Sequence, residues 1–140
     1  MRRIAVRIVV DAHAWVEIFR GSEEGHRAMD ALSKATEVHT PGTVLAEIAR
    51  KYVREGITAK ETTDRLNRIT RASNVSGIDE RCALLSADCY LQLKEKARSS
   101  GLPNPSLFDA IVLATAKSLD AKVLTRDEHF AGLPNTLWLK

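Results

Sequence analysis

At 140 residues, with 44% apolar and 28% charged side chains, the chain has the size of one domain and enough apolar residues for a real core, which excludes a disordered or low-complexity polypeptide. The net charge of +3 divides as +2 and +1 between the two halves, so no basic tail stands out. Behind Arg2 and Arg3 the apolar run is short and broken by Arg7, which argues against a signal peptide or a membrane span.

The segment RIAVRIVVD alternates and then turns continuously apolar, as a strand buried on both faces does in the middle of a parallel sheet, and it ends at Asp11. AHAWVEIF and EEGHRAMDALSKA follow as helices separated by Gly21 and Ser22, and EVHTP is a short strand stopped by Pro41. GTVLAEIARKYVREG is a helix closed by Gly56. TAKE at 58–61 has the form of a capping box, Thr58 and Glu61 satisfying each other's backbone donors ahead of a helix that runs to about Ala72.

NVSGI is compatible with a strand. Asp79 caps the long helix after it, where Ala83, Leu84, Ala87, Tyr90 and Leu91 repeat at helical spacing and Gly101 ends the run. Cys82 and Cys89 on this helix lie about 10 Å apart, beyond disulfide reach, so they read as reduced thiols packed on or near a core face in a cytoplasmic setting. Asn104 with Pro105 starts the helix that holds Asp109, since proline suits the first helical position. AKVLT and TLWLK are the last strands. Strands alternating with helices imply right-handed crossovers and a mostly parallel sheet covered on both sides, in a single domain over residues 1–140.

In such sheets ligands sit at the carboxyl ends of the strands. Asp11 ends the first strand, Asp127 lies just beyond AKVLT, and Asp109 stands in the first turn of the helix feeding that strand, so topology converges all three on one edge. Glu47, at the border of the stripe Val44, Leu45 and Ile48, is the fourth candidate. Each acid also has an ordinary local use: Asp11 in a turn, Asp109 at a helix N-terminus, Asp127 as a cap, Glu47 paired with Arg50 or Lys51. As a set they repel one another unless a hard divalent cation, Mg²⁺ or Mn²⁺, is bound through oxygen, and an ion so held suits phosphodiester hydrolysis. With four carboxylates committed to a metal, the rest of the chain carries +7, which favours a polyanionic partner.

IVVDAHAW, TVLAEIARKY and FDAIVLATAKSLDAKVLTRD, in this order, resemble the PIN-domain ribonucleases, and within them the toxin subunits of VapBC-type toxin-antitoxin modules. The resemblance spans essentially the whole chain. It implies a three-layer α/β/α sandwich with a parallel sheet and metal-dependent cleavage of RNA, with the acidic site on Asp11, Glu47, Asp109 and Asp127 and Thr125 as the neighbouring hydroxyl. A homodimer and a cognate antitoxin, bound in a groove near the acids, are its implied partners. Segments 13–19 and 42–72, with more apolar residues than one small core needs, fit such contacts.

Two departures stand out. Ala12 occupies the position where many relatives have Ser or Thr, which removes one hydroxyl, and His13 follows it as a polar or packing residue rather than a catalytic one. Arg50, Lys51 and Arg54 share a helix face with Glu47, either holding substrate phosphates or forming a solvated face, with Arg126 a weaker candidate for the first role. Trp15 and Phe19 are expected in the core or an interface rather than stacked on bases. The alternative function is an RNA-binding or scaffold subunit without turnover. A phosphoaspartyl receiver is disfavoured, because VVDAH lacks the acidic pair and VLTRD the lysine that it needs.

Overall fold

The structure is a computed structural model and describes residues 4–139, so Arg2, Arg3 and Lys140 lie outside the described residues. Five strands, β1 (Arg7–Val10), β2 (Glu37–Pro41), β3 (Asn74–Ser76), β4 (Lys122–Thr125) and β5 (Thr136–Trp138), form one sheet in the order β3-β2-β1-β4-β5. Every pairing is parallel, with Val9 of β1 opposite His39 on one side and Val123 on the other. Six helices connect them: α1 (Ala12–Arg20), α2 (Glu23–Lys34), α3 (Gly42–Arg54), α4 (Ala59–Ala72), α5 (Glu80–Ser100) and α6 (Leu107–Leu119). The chain steps outward from β1 to β3 and then returns to the far side of β1. Right-handed crossovers therefore leave α1 to α4 on one face and α5 and α6 on the other, the expected three layers.

The sequence pattern explains the centre. Ile8, Val9 and Val10 are fully buried between two helical layers, each contributing about 1.5 to 3 kcal/mol of burial. Residues 110–116 of α6 are all buried, which is why that segment is apolar all round. Trp15 belongs to this core, its indole N–H donating to the Thr40 hydroxyl at 3.1 Å and its ring stacked on Phe19. Both cysteines are buried free thiols, and burial raises that of Cys89 above its ordinary pKa.

Four expectations need correction. α6 begins at Leu107, not at Asn104 and Pro105, because Ser106 and Asp109 close a reciprocal capping box. In the TAKE segment only half a box forms: Thr58 accepts from the Glu61 N–H at 3.1 Å, while the Glu61 carboxylate turns to Arg65 at 2.8 Å. On α5 the stripe Ala83, Leu84, Ala87 and Leu91 faces outward, with Leu84 74% and Leu91 64% exposed, and the buried face is Cys82, Ser86, Cys89, Leu93 and Ala97. Segments 13–19 and 42–72 spend their apolar residues on the core, Val53 being their one large apolar side chain among those left exposed. Among the described residues no helix is long and apolar enough to cross a membrane.

Candidate active site

The order of the strands places β1 beside β4 where the winding direction reverses, and the carboxyl ends of these two strands frame a crevice. Asp11 follows β1 directly and caps α1, its Oδ1 accepting from the Ala12 N–H at 2.8 Å. Its Oδ2 accepts from the hydroxyl of Thr125, the last residue of β4, also at 2.8 Å. The same Thr125 oxygen accepts from the Asp127 N–H at 3.0 Å, so one hydroxyl ties Asp11 to the turn that carries Asp127.

Asp127 caps a short 3₁₀ turn, Glu128–Phe130, and its Oδ1 accepts from both the backbone N–H of His129 at 2.9 Å and the ring Nδ1 at 2.8 Å. The other ring nitrogen, Nε2, meets the carbonyl of Pro103 at 2.8 Å. A carboxylate and a carbonyl only accept, so satisfying both bonds requires the doubly protonated ring. Burial opposes that charge, but Pro103, Asp127 and Asp109 outweigh it and raise the pKa of His129.

Asp109 sits one turn into α6, where its Oδ2 accepts from the Ser106 N–H at 3.0 Å. Glu47 reaches in from α3, whose Val44 and Ile48 anchor the helix in the core. The four acids line one cavity of about 270 Å³ together with Ala12, His13 and Arg126. Asp11 is 7% exposed, and burial lifts its pKa to about 6 against the Thr125 and Ala12 hydrogen bonds, with Asp109 and Asp127 adding to the rise. Burial and then the charges of Asp11 and Asp109 push Glu47 to about 7, and burial raises Asp109 as well. Asp11, Glu47 and Asp109, held from ionising first by burial and then by neighbouring carboxylates, belong to the kind of oxygen donor set that a hard divalent cation relieves. Asp109 and Asp127 each offer a carboxylate oxygen within 4.8 Å of the other and of a ring nitrogen of His129, which in its protonated form holds Asp127 rather than ligating.

Arg50 and Arg54 do not enter this cavity. They line an adjoining groove of about 300 Å³, with Val16, Arg20, Lys51 and Glu47, the last shared with the acid cavity. Arg20 pairs with Glu17 and Lys51 with Glu55, whereas Arg50 and Arg54 make no ion pair among the described residues. The sequence reading missed two residues at the rim, His129 and Glu24. His129 follows Asp127 by two positions, a spacing that signals a turn contact, while Glu24 lies in an amphipathic helix with nothing to distinguish it from a solvated acid.

The PIN domain family matches residues 8–135 of the chain. The chain belongs to the PIN-domain family. This PIN domain is 27% identical over 131 residues to ribonuclease VapC3 of Pyrobaculum aerophilum, with 90% of this chain and 93% of that protein aligned. Its fold is similar to a toxin-antitoxin complex from Klebsiella pneumoniae, with 20% identity, a TM-score of 0.69 and coverage of 95% of this chain and 98% of the other. FitAcB from Neisseria gonorrhoeae gives 22% identity and a TM-score of 0.66, over 95% and 96% of the two chains. The expected PIN-like α/β/α architecture is thereby borne out.

Proposed function

We propose that this PIN domain is a Mg²⁺- or Mn²⁺-dependent endoribonuclease and the toxin half of a toxin-antitoxin pair. The observation that carries the reading is the convergence of Asp11, Glu47, Asp109 and Asp127 on one cavity at the strand ends, in a family that includes a named ribonuclease among its relatives. When bound, the ion supplies Lewis-acid polarisation of a phosphoryl oxygen and a water of lowered pKa. The four carboxylates hold it. Thr125 fixes the rotation of Asp11, the Ser106 N–H that of Asp109, and His129 that of Asp127, so the three aspartates are oriented before metal arrives. Thr125 also answers the absence of a hydroxyl at Ala12, since Asp11 already has a hydroxyl donor from across the sheet.

Arg50 and Arg54 hold phosphates of the RNA strand to one side of the cleaved bond, in the groove that Glu47 joins to the cavity. A second copy of the chain and an antitoxin protein are its partners, and the solved relatives described as toxin-antitoxin complexes support the latter. Purified protein should cleave RNA with Mg²⁺ or Mn²⁺, stop on addition of chelator, and resume with excess metal. RNA bound but left intact under every metal condition would instead identify a scaffold. Light scattering at micromolar concentration should give a dimer, and a monomer with no copurifying partner would count against the assembly.

A further inference from the structure

We propose that Glu24 is a positioning residue that holds Arg126 out of the acid cavity and so keeps that cavity open to a divalent cation. The inference rests on the metal-site reading given above. Arg126 stands in the chain between Thr125 and Asp127 and lines the same cavity as the four acids. A guanidinium at the wall of such a cavity would be drawn onto its carboxylates, two of which it can bridge at once, and it would then displace the metal. Yet among the described residues Arg126 pairs with none of the four. Its Nη1 donates instead to Glu24 Oε2 at 3.3 Å.

Glu24 is built to stay where it is. Its other oxygen, Oε1, accepts from His13 Nε2 at 2.8 Å, so one carboxylate spans the first turn of α1 and the loop after β4. The side chain is 14% exposed, against 52% for Arg126. The next residue, Gly25, lies so close to α1 that a Cβ there would stand 2.0 Å from the Glu17 carbonyl oxygen, and Ser22 caps the Gly25 N–H at 3.0 Å. This start of α2 therefore cannot slide along α1, and the carboxylate is fixed relative to the cavity. Although burial works against its charge, His13 and Arg126 more than compensate and hold the Glu24 pKa below its usual value.

The test is Mn²⁺ binding by calorimetry, with Mn²⁺-induced thermal stabilisation as a second readout, on wild type, Glu24→Ala, Arg126→Ala and the double variant. Glu24→Ala should bind Mn²⁺ about tenfold or more weakly, because the freed guanidinium competes for the acids. Removing Arg126 as well should restore affinity to that of Arg126→Ala alone. Glu24→Gln, which keeps the shape and one acceptor, should show a smaller loss and serves if the alanine variant does not fold. Wild-type affinity in Glu24→Ala and Glu24→Gln would overturn the inference, as would a double variant as weak as Glu24→Ala. If wild type itself binds no Mn²⁺, the metal-site reading fails first and this one falls with it.

Discussion

Asp109 closes the capping box of α6 and, from the same carboxylate, faces the other acids across the cavity. Asparagine keeps its shape and still offers an oxygen to the Ser106 N–H, so Asp109→Asn separates charge from cap. Without metal the variant should melt at least as high as wild type, because one repelling charge is gone. With Mn²⁺, wild type should gain stability by linkage and the variant much less, while RNA cleavage falls by orders of magnitude. Were Asp109 only a favourable charge at its helix N-terminus, the variant would lose about 0.3 to 1 kcal/mol, respond to metal like wild type and still cleave. Thermal melts with and without metal, beside a cleavage assay, decide between these outcomes.

At the scale of elements, α3 carries two functions on one face, a carboxylate in the cavity and arginines in the groove beside it. Arg50→Ala or Arg54→Ala should weaken RNA binding and flatten its salt dependence by about one phosphate contact, while metal-dependent cleavage persists. Unchanged affinity and an unchanged salt slope would make these residues a solvated face. How far each element was legible depended on how one-sided its chemistry is. β1 and α6 announced themselves because burial on all sides leaves continuous apolar runs, and those runs located Asp11 and Asp109. α5 misled because it packs on α6 through small residues, Cys82, Ser86 and Cys89, which let the two helices lie close, while the larger Leu84 and Leu91 face out. The start of α6 was misplaced because a hydroxyl with an acid three residues on caps better than Asn104 ahead of Pro105. Glu24 was invisible for another reason: its role arises from contacts with α1 and Arg126 that no local pattern encodes, whereas the spacing of His129 from Asp127 signals their turn contact but not the bond to Pro103.

For the whole molecule, the buried acids of the cavity set how stability varies with pH. Asp11 and Glu47 keep their protons to about 6 and about 7, whereas in the unfolded chain they release them near 3.8 and 4.5. Between those limits the folded state binds more protons, so its stability falls as pH rises through about 4 to 7. His129, with its raised pKa, acts in the same direction, its contribution being complete below about 6.5 and lost above it. Glu24 and Glu37 have lowered values and act oppositely, but only below about 4.5. In chelator the protein should therefore melt higher at pH 5 than at pH 7.5, by about 4 °C for each kcal/mol. Saturating Mn²⁺ should narrow or reverse the difference, since metal prefers the ionised acids. Equal or rising melting temperatures toward pH 7.5 in chelator would contradict this.

The hydrogen bond from Thr125 to Asp11 also has a meaning in time. A chain is made from its N-terminus, so Asp11 and Glu47 leave the ribosome long before Lys122–Thr125, the strand that must lie against one side of β1. Until then Asp11 lacks its hydroxyl donor, and Asp127, which follows that strand, does not yet exist. The order of synthesis thus acts as a safety catch: a nascent chain that has not yet passed Asp127 has no assembled cavity.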